Sequence, residues 1–208
     1  MITHKDQRVG IFIDVQNLYH SSKNLFRARV NYKELIKGLL AGRKLIRAIG
    51  YVVKTDDNIE GGEAAFFDAL EKTGVELRSK DIQIFHGGAK KADWDVGMAV
   101  DAIRMADFLD TIILVTGDGD FIPLVEYLKW GKGRNVEVAA FNRSTSAKLK
   151  EAADAFINIE EIPKVILSSK RAAGHKNNAH RPTAPVEQNF INKEIKQEKQ
   201  NEVEQKGI

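Results

Sequence analysis

The chain contains no cysteine among its 208 residues. Disulfides and thiolate metal sites are therefore excluded, and any metal must be held by oxygen or imidazole. No apolar run approaches the roughly 20 residues of a membrane span. The first ten residues, MITHKDQRVG, lack the basic-then-apolar pattern of a secretory leader. No internal repeat is visible. These absences lead to the expectation of a cytoplasmic protein with no membrane partner, long enough for one core plus appendages.

The net charge of +3 hides an uneven distribution. Residues 1–163 hold 23 Lys and Arg against 24 Asp and Glu, whereas residues 164–208 hold 9 against 5. Within the main part, Lys23 to Arg47 carries eight basic residues and only Glu34. Such stretches suit a polyanionic partner, although solvated helix faces and a soluble tail give the same composition.

Strand-like and helix-like segments alternate. RVGIFIDV (Arg8–Val15), Lys44–Lys54, Val75–Lys80, TIILVT (Thr111–Thr116) and Asn135–Phe141 read as buried strands. Helical spacing follows Asn31 and spans Glu63–Lys72, Asp95–Phe108, Phe121–Trp130 and Ser146–Ala153, with Ala155–Ile159 as a further edge strand. This alternation predicts a three-layer α/β/α sandwich around a central, mostly parallel sheet. After Pro163 the chain turns to Lys, Asn, His, Pro, Gln and Glu. We therefore expect a domain over 1–163 and a basic, mostly disordered tail over 164–208.

Ligands of open parallel sheets bind beyond the carboxyl ends of the strands, and acids collect there in this sequence. Asp14 ends the first strand, with Asn17 three residues on. TGDGDF sets Asp118 and Asp120 on a glycine-hinged turn after IILV, and KKADWDVGMAVDAI carries Asp93, Asp95 and Asp101 into the preceding helix. Helix capping accounts for Asp95, or for one of Asp118 and Asp120, but not for all. Asp14 is harder to explain that way, because a charge among Ile11, Phe12, Ile13 and Val15 is costly unless paired or metal-bound. Carboxylates converging without basic partners repel one another, and a divalent cation removes the conflict. Oxygen ligands without Cys or a His pair point to Mg²⁺ or Mn²⁺ rather than Zn²⁺. Such ions serve in-line displacement at phosphorus.

At IFIDVQNLY, KADWDVGMAVDAIR and ILVTGDGDFIPLV, with VEVAAF and SAKLKEAAD following, the chain resembles the NYN domains. These form a branch of the PIN-like, FLAP-nuclease-related superfamily, and the LabA-like group is the nearest match. The resemblance covers about residues 8–160. It implies a parallel sheet between helices and a metal-dependent ribonuclease. Asp14, Asn17, Asp95, Asp118 and Asp120 would be catalytic, with Asp14, Asp95, Asp118 and Asp101 as metal ligands. Asn17 would hold a water or the scissile phosphate. Lys91, Trp94, Arg143 and Ser144 are expected substrate contacts, Trp94 by stacking a base. Single-stranded RNA is the expected partner, and a homodimer is the further expectation. Trp130 reads as packing and His20 as a surface residue. A haloacid-dehalogenase phosphatase would need an acid where Gln16 stands, and a Toprim domain a Glu in place of Asp14. The remaining alternative is a non-catalytic RNA-binding or regulatory module on the same fold.

Overall fold

The computed structural model describes residues 3–54, 62–81, 83–84, 90–91 and 94–167. In chain order these form β1 (Arg8–Asp14), α1 (Val15–Phe26), β2 (Arg29–Val30), α2 (Tyr32–Leu40), β3 (Lys44–Lys54), α3 (Gly62–Glu71), β4 (Glu76–Asp81), β5 (Gln83–Ile84) and β6 (Lys90–Lys91). They continue as α4 (Asp95–Met105), β7 (Thr111–Val115), α5 (Ile122–Glu126), β8 (Asn135–Ala140), α6 (Ala147–Ala152), β9 (Ala155–Asn158) and β10 (Ile166–Leu167).

Six strands form one sheet in the order β4-β3-β1-β7-β8-β9, and each neighbouring pair in it is parallel. Because strand side chains alternate between faces, β1 sends Val9, Ile11 and Ile13 to one core and Phe12 to the other. The first core is closed by Leu18 of α1, Leu35 and Leu39 of α2 and Leu70 of α3. The second is closed by Met98 and Ala102 of α4, Leu124 and Val125 of α5, and Leu149 of α6. The expected α/β/α sandwich is what forms.

Three details depart from the sequence reading. Val15 does not end the first strand but opens α1, because Asp14 takes the N-cap position and its Oδ1 accepts the Asn17 backbone N–H at 3.0 Å. The long helix after Asp95 becomes a tighter 3₁₀ turn over Ala106–Phe108. The described chain also runs past Pro163: Ile166 and Leu167 pair antiparallel with Val30 and Arg29 as β10 and β2. The expected disordered tail from residue 168 onward lies outside the described residues.

The start of the sheet is held by a fork. Arg8 donates through its backbone N–H and Nε to Asp110 Oδ2, at 2.8 and 3.1 Å, and through Nη2 to Oδ1 at 2.8 Å. The guanidinium's hydrogen bonds hold the Asp110 carboxyl at about 2, below the usual carboxylate range. A lowered folded-state value means that the contact stabilises the fold above the ordinary carboxylate range and fades as pH falls through about 2. Asp110→Asn should therefore lower the thermal midpoint at pH 6, and the gap to the parent protein should close in strong acid. Thermal melts across pH check this.

Candidate active site

The strand order reverses beside β1: the chain moves from β1 to β3 on one side and returns to β7 on the other. A crevice opens at the carboxyl ends of such neighbours, and here it receives the ends of β1 and β7. Asp14, Gln16, Asn17, Tyr51, Trp94, Asp95 and Asp118 line one open cleft of about 220 Å³. Among the described residues, no Lys or Arg lines it.

Each acid is placed by a different piece of local chemistry. Asp14 closes β1 opposite Tyr51 of β3 and caps α1. Asp118 caps the 3₁₀ turn Gly119–Phe121, its Oδ1 accepting the Asp120 N–H at 3.0 Å. Thr116 is buried between them. Its hydroxyl reaches Asp14 Oδ2 at 3.5 Å and accepts the Asp118 N–H at 3.2 Å. Asp95 is the first residue of α4, where the helix dipole favours a carboxylate. Burial raises the Asp14 pKa above the ordinary value, opposed by the Asn17 N–H and reinforced by the charge of Asp118. Asp14 and Asp118 thus share the cleft without a Lys or Arg among its described lining residues.

Asn17 has a more structural part than its spacing suggested. Its Oδ1 accepts the Gly117 N–H at 3.1 Å, fastening the start of α1 to the turn after β7. Gly117 is pressed from the other side as well, where its carbonyl accepts the Ser146 N–H at 3.0 Å. A Cβ at Gly117 would lie 2.6 Å from the Ser144 carbonyl oxygen. Gly117→Ala should therefore displace the turn or the 142–146 segment, at about 1–3 kcal/mol of stability. Urea denaturation measures this loss.

Other expected site residues fall elsewhere. Asp101 does not line the cleft. It accepts the Tyr51 hydroxyl at 3.1 Å and lies 3.8 Å from Arg78 Nε, so it supports Tyr51 from behind. Asp120 is exposed and contributes its backbone N–H to Asp118. Asp95 does not cap α4; Trp94 holds that position without a side-chain cap bond. Trp94 lines the cleft and is held in place. Its indole N–H donates to the Val52 carbonyl at 2.8 Å, its ring lies 5.6 Å from that of Tyr51, and a Cβ at Gly97 would meet it at 2.5 Å. It forms a fixed wall.

Arg143 is exposed and stacks on Phe26 at 5.4 Å, while Ser144 Oγ bonds to the Phe141 carbonyl. Ser144 borders the Gly117 turn, and neither residue lines the cleft. The side chain of Lys91 and all of Asp93 lie outside the described residues. Trp130 is 84% exposed rather than packed. Thr116, Tyr51 and Gln16 were not singled out from sequence. Thr116 stood in plain view between IILV and GDG, but only the register across β1 and β3 brings in Tyr51.

The donor set suits a small hard cation. Mg²⁺ commonly takes one or two carboxylates and keeps several waters, and Asp14 and Asp118 supply two such carboxylates. Among the described residues, no three His, Asp or Glu side chains already form a closed ligand group.

Fold and site together define a parallel-sheet protein with an acidic cleft at its topological switch point. The chain belongs to the NYN domain family, whose model matches residues 8–160. It is similar to the low amplitude and bright protein LabA of Synechococcus elongatus, with 26% identity over 80% of this chain and 91% of that protein. A protein of unknown function from Vibrio parahaemolyticus has the same fold. That match has a TM-score of 0.71 and 30% identity, and covers 80% of this chain and all of the other. No described helix is long and apolar enough to cross a membrane.

Proposed function

We propose that this NYN domain is a cytoplasmic ribonuclease that hydrolyses phosphodiester bonds of single-stranded RNA with Mg²⁺ or Mn²⁺. One observation carries the reading: Asp14, Asp95 and Asp118, far apart along the chain, line one cleft. Asp14 and Asp118 would hold the ion, with Asp95 as a further carboxylate on the same cleft. The bound ion supplies charge neutralisation at the phosphate and a water ionised near neutral pH.

The chain's own groups do the rest. Asn17, its oxygen committed to Gly117, offers its NH₂ to a phosphate oxygen or a water. Thr116 spaces the Asp14 carboxylate from the Asp118 backbone. Trp94, pinned to Val52, bounds the cleft on the α4 side.

The absence, among the described residues, of a closed group of three ligands favours a second reading, a module that holds RNA without cutting it. Incubating the full chain with end-labelled single-stranded RNA separates the two. Cleavage with Mn²⁺ or Mg²⁺ that EDTA stops supports the nuclease. Salt-sensitive retention without cleavage under any divalent metal supports the module.

A further inference from the structure

A second, larger recess adjoins the acidic cleft and shares a wall with it. This groove, about 410 Å³, is bounded by α1, β2, the end of β3 and α3, and Gln16 lines both spaces. Its chemistry is unlike that of the cleft. Tyr19, His20, Tyr32 and Phe66 present aromatic rings, with valines between them and Arg29 as a cation. Tyr19 and His20 lie three and four residues after Gln16, so all three share one face of α1. Tyr19 leaves 42% of its surface to solvent and meets His20 edge-on, with ring centroids 5.4 Å apart.

Tyr32 is a second, independent pointer. It is only 7% exposed, and its ring lies 5.9 Å from that of Phe66. No described residue hydrogen-bonds its hydroxyl, which stays open to the groove. Burial, and then the charge of Asp14, raises its pKa well above the usual phenol value, so the hydroxyl stays a donor.

The groove thus offers aromatic faces together with two neutral hydrogen-bonding groups, the Gln16 amide and the Tyr32 hydroxyl. A fatty chain would leave both groups unsatisfied, and an acidic ligand head would meet the charge of Asp14. A nucleobase is flat and apolar on its faces and polar on its edge, and it presents that edge only when unpaired.

We propose that this groove is a nucleobase subsite of the carboxylate cleft, seating one base of single-stranded RNA against Tyr19, His20 and Phe66 with its polar edge at Gln16 and Tyr32. The proposal rests on the RNA reading of the cleft given above. The seated base positions the adjoining phosphate toward Asp14 and Asp118, and Arg29 is placed to meet a neighbouring phosphate.

The test is fluorescence anisotropy of the full chain with a short labelled oligoribonucleotide in EDTA. It is repeated with single abasic positions scanned along the same oligonucleotide, and with the Tyr19→Ala protein. Tyr19 is half exposed on a helix, so this variant keeps its fold, and a thermal melt verifies that. One abasic position should weaken binding about tenfold or more, as expected for loss of a base stacked on aromatic rings, and Tyr19→Ala should erase most of that difference. If the intact oligonucleotide binds but no abasic position matters, or if Tyr19→Ala keeps the full sensitivity, the subsite is overturned while the RNA reading stands. Base-sensitive binding without cleavage under any metal leaves the subsite and removes the nuclease. Failure to bind any of the oligonucleotides, both in EDTA and with Mg²⁺ added, overturns both.

Discussion

Arg43→Met is expected to cost about 3–5 kcal/mol, the usual penalty for breaking a buried ion pair from one side. Arg43 and Glu137 are each 4% exposed at the side chain. Nη1 meets Oε1 at 2.6 Å and Nη2 meets Oε2 at 2.9 Å, and Asn135 Nδ2 adds a bond to Oε1 at 3.1 Å. Arg43 also closes α2, donating to the Leu39 and Leu40 carbonyls at 2.8 and 3.0 Å, where a helix C-terminus favours a cation. Removing Arg43 would strand the Glu137 charge inside the sheet layer and uncap α2 together. Domains of this kind have only about 5–15 kcal/mol in total, so the variant should melt far below the parent. Pairing Arg43→Met with Glu137→Leu should recover much of the loss, because an apolar pair of similar volume avoids the stranded charge. Urea denaturation of both singles and the double gives the coupling directly. A single variant as stable as the parent would show that the pair contributes nothing.

Asp118→Asn and Asp14→Asn are each expected to reduce RNA cleavage more than about a hundredfold, the upper end of what loss of a mere outer-shell partner costs at a metal site. Both should leave the fold intact. Asn caps helices as well as Asp does, so the bonds to the Asn17 and Asp120 N–H groups survive. For Asp14 the stability effect has a sign. Burial raises its folded-state pKa, so its contribution to stability is present at low pH and is lost as pH rises through that value. In metal-free buffer at neutral pH, Asp14→Asn should therefore melt at or above the parent, with the difference shrinking toward the ordinary carboxylate range. Activity within a few-fold of the parent in both variants would show that cleavage, if present, occurs elsewhere.

These two sites were legible in the sequence to different degrees. The acidic cleft was readable because each acid sat where a buried apolar strand or an amphipathic helix began or ended. Strand ends of a parallel sheet gather on one edge whatever the intervening loops do. The roles within it were less readable. Asp14 as the cap of α1 went unseen because VQNLYHSSKNLF is too polar to announce a helix, and only the capping geometry starts it there. That the Val52 carbonyl, 42 residues away, fixes the Trp94 indole was not visible in the sequence.

The basic stretch from Lys23 to Arg47 illustrates the limit most clearly. As a string it is eight cations suited to RNA. In the fold, Arg43 is buried against Glu137, Arg47 meets Glu76 at 2.8 Å, and Lys44 lies 3.2 Å from Asp6. Linear charge density does not reveal which cations are already matched, because the matching acids lie far off in the chain or across the sheet.

By itself, the sequence determined the class of fold and the edge where chemistry would gather. Strand and helix periodicity are local properties, and parallel pairing with right-handed crossovers leaves few arrangements. Only the tertiary structure decided which side chains share a space. It brought Asp14, Asp95 and Asp118 to one cleft, kept Asp101 with Tyr51 and Arg78, closed Arg43 on Glu137, and set an aromatic groove beside the acids. Those neighbours come from strand register and helix packing across many tens of residues, and no local pattern encodes them.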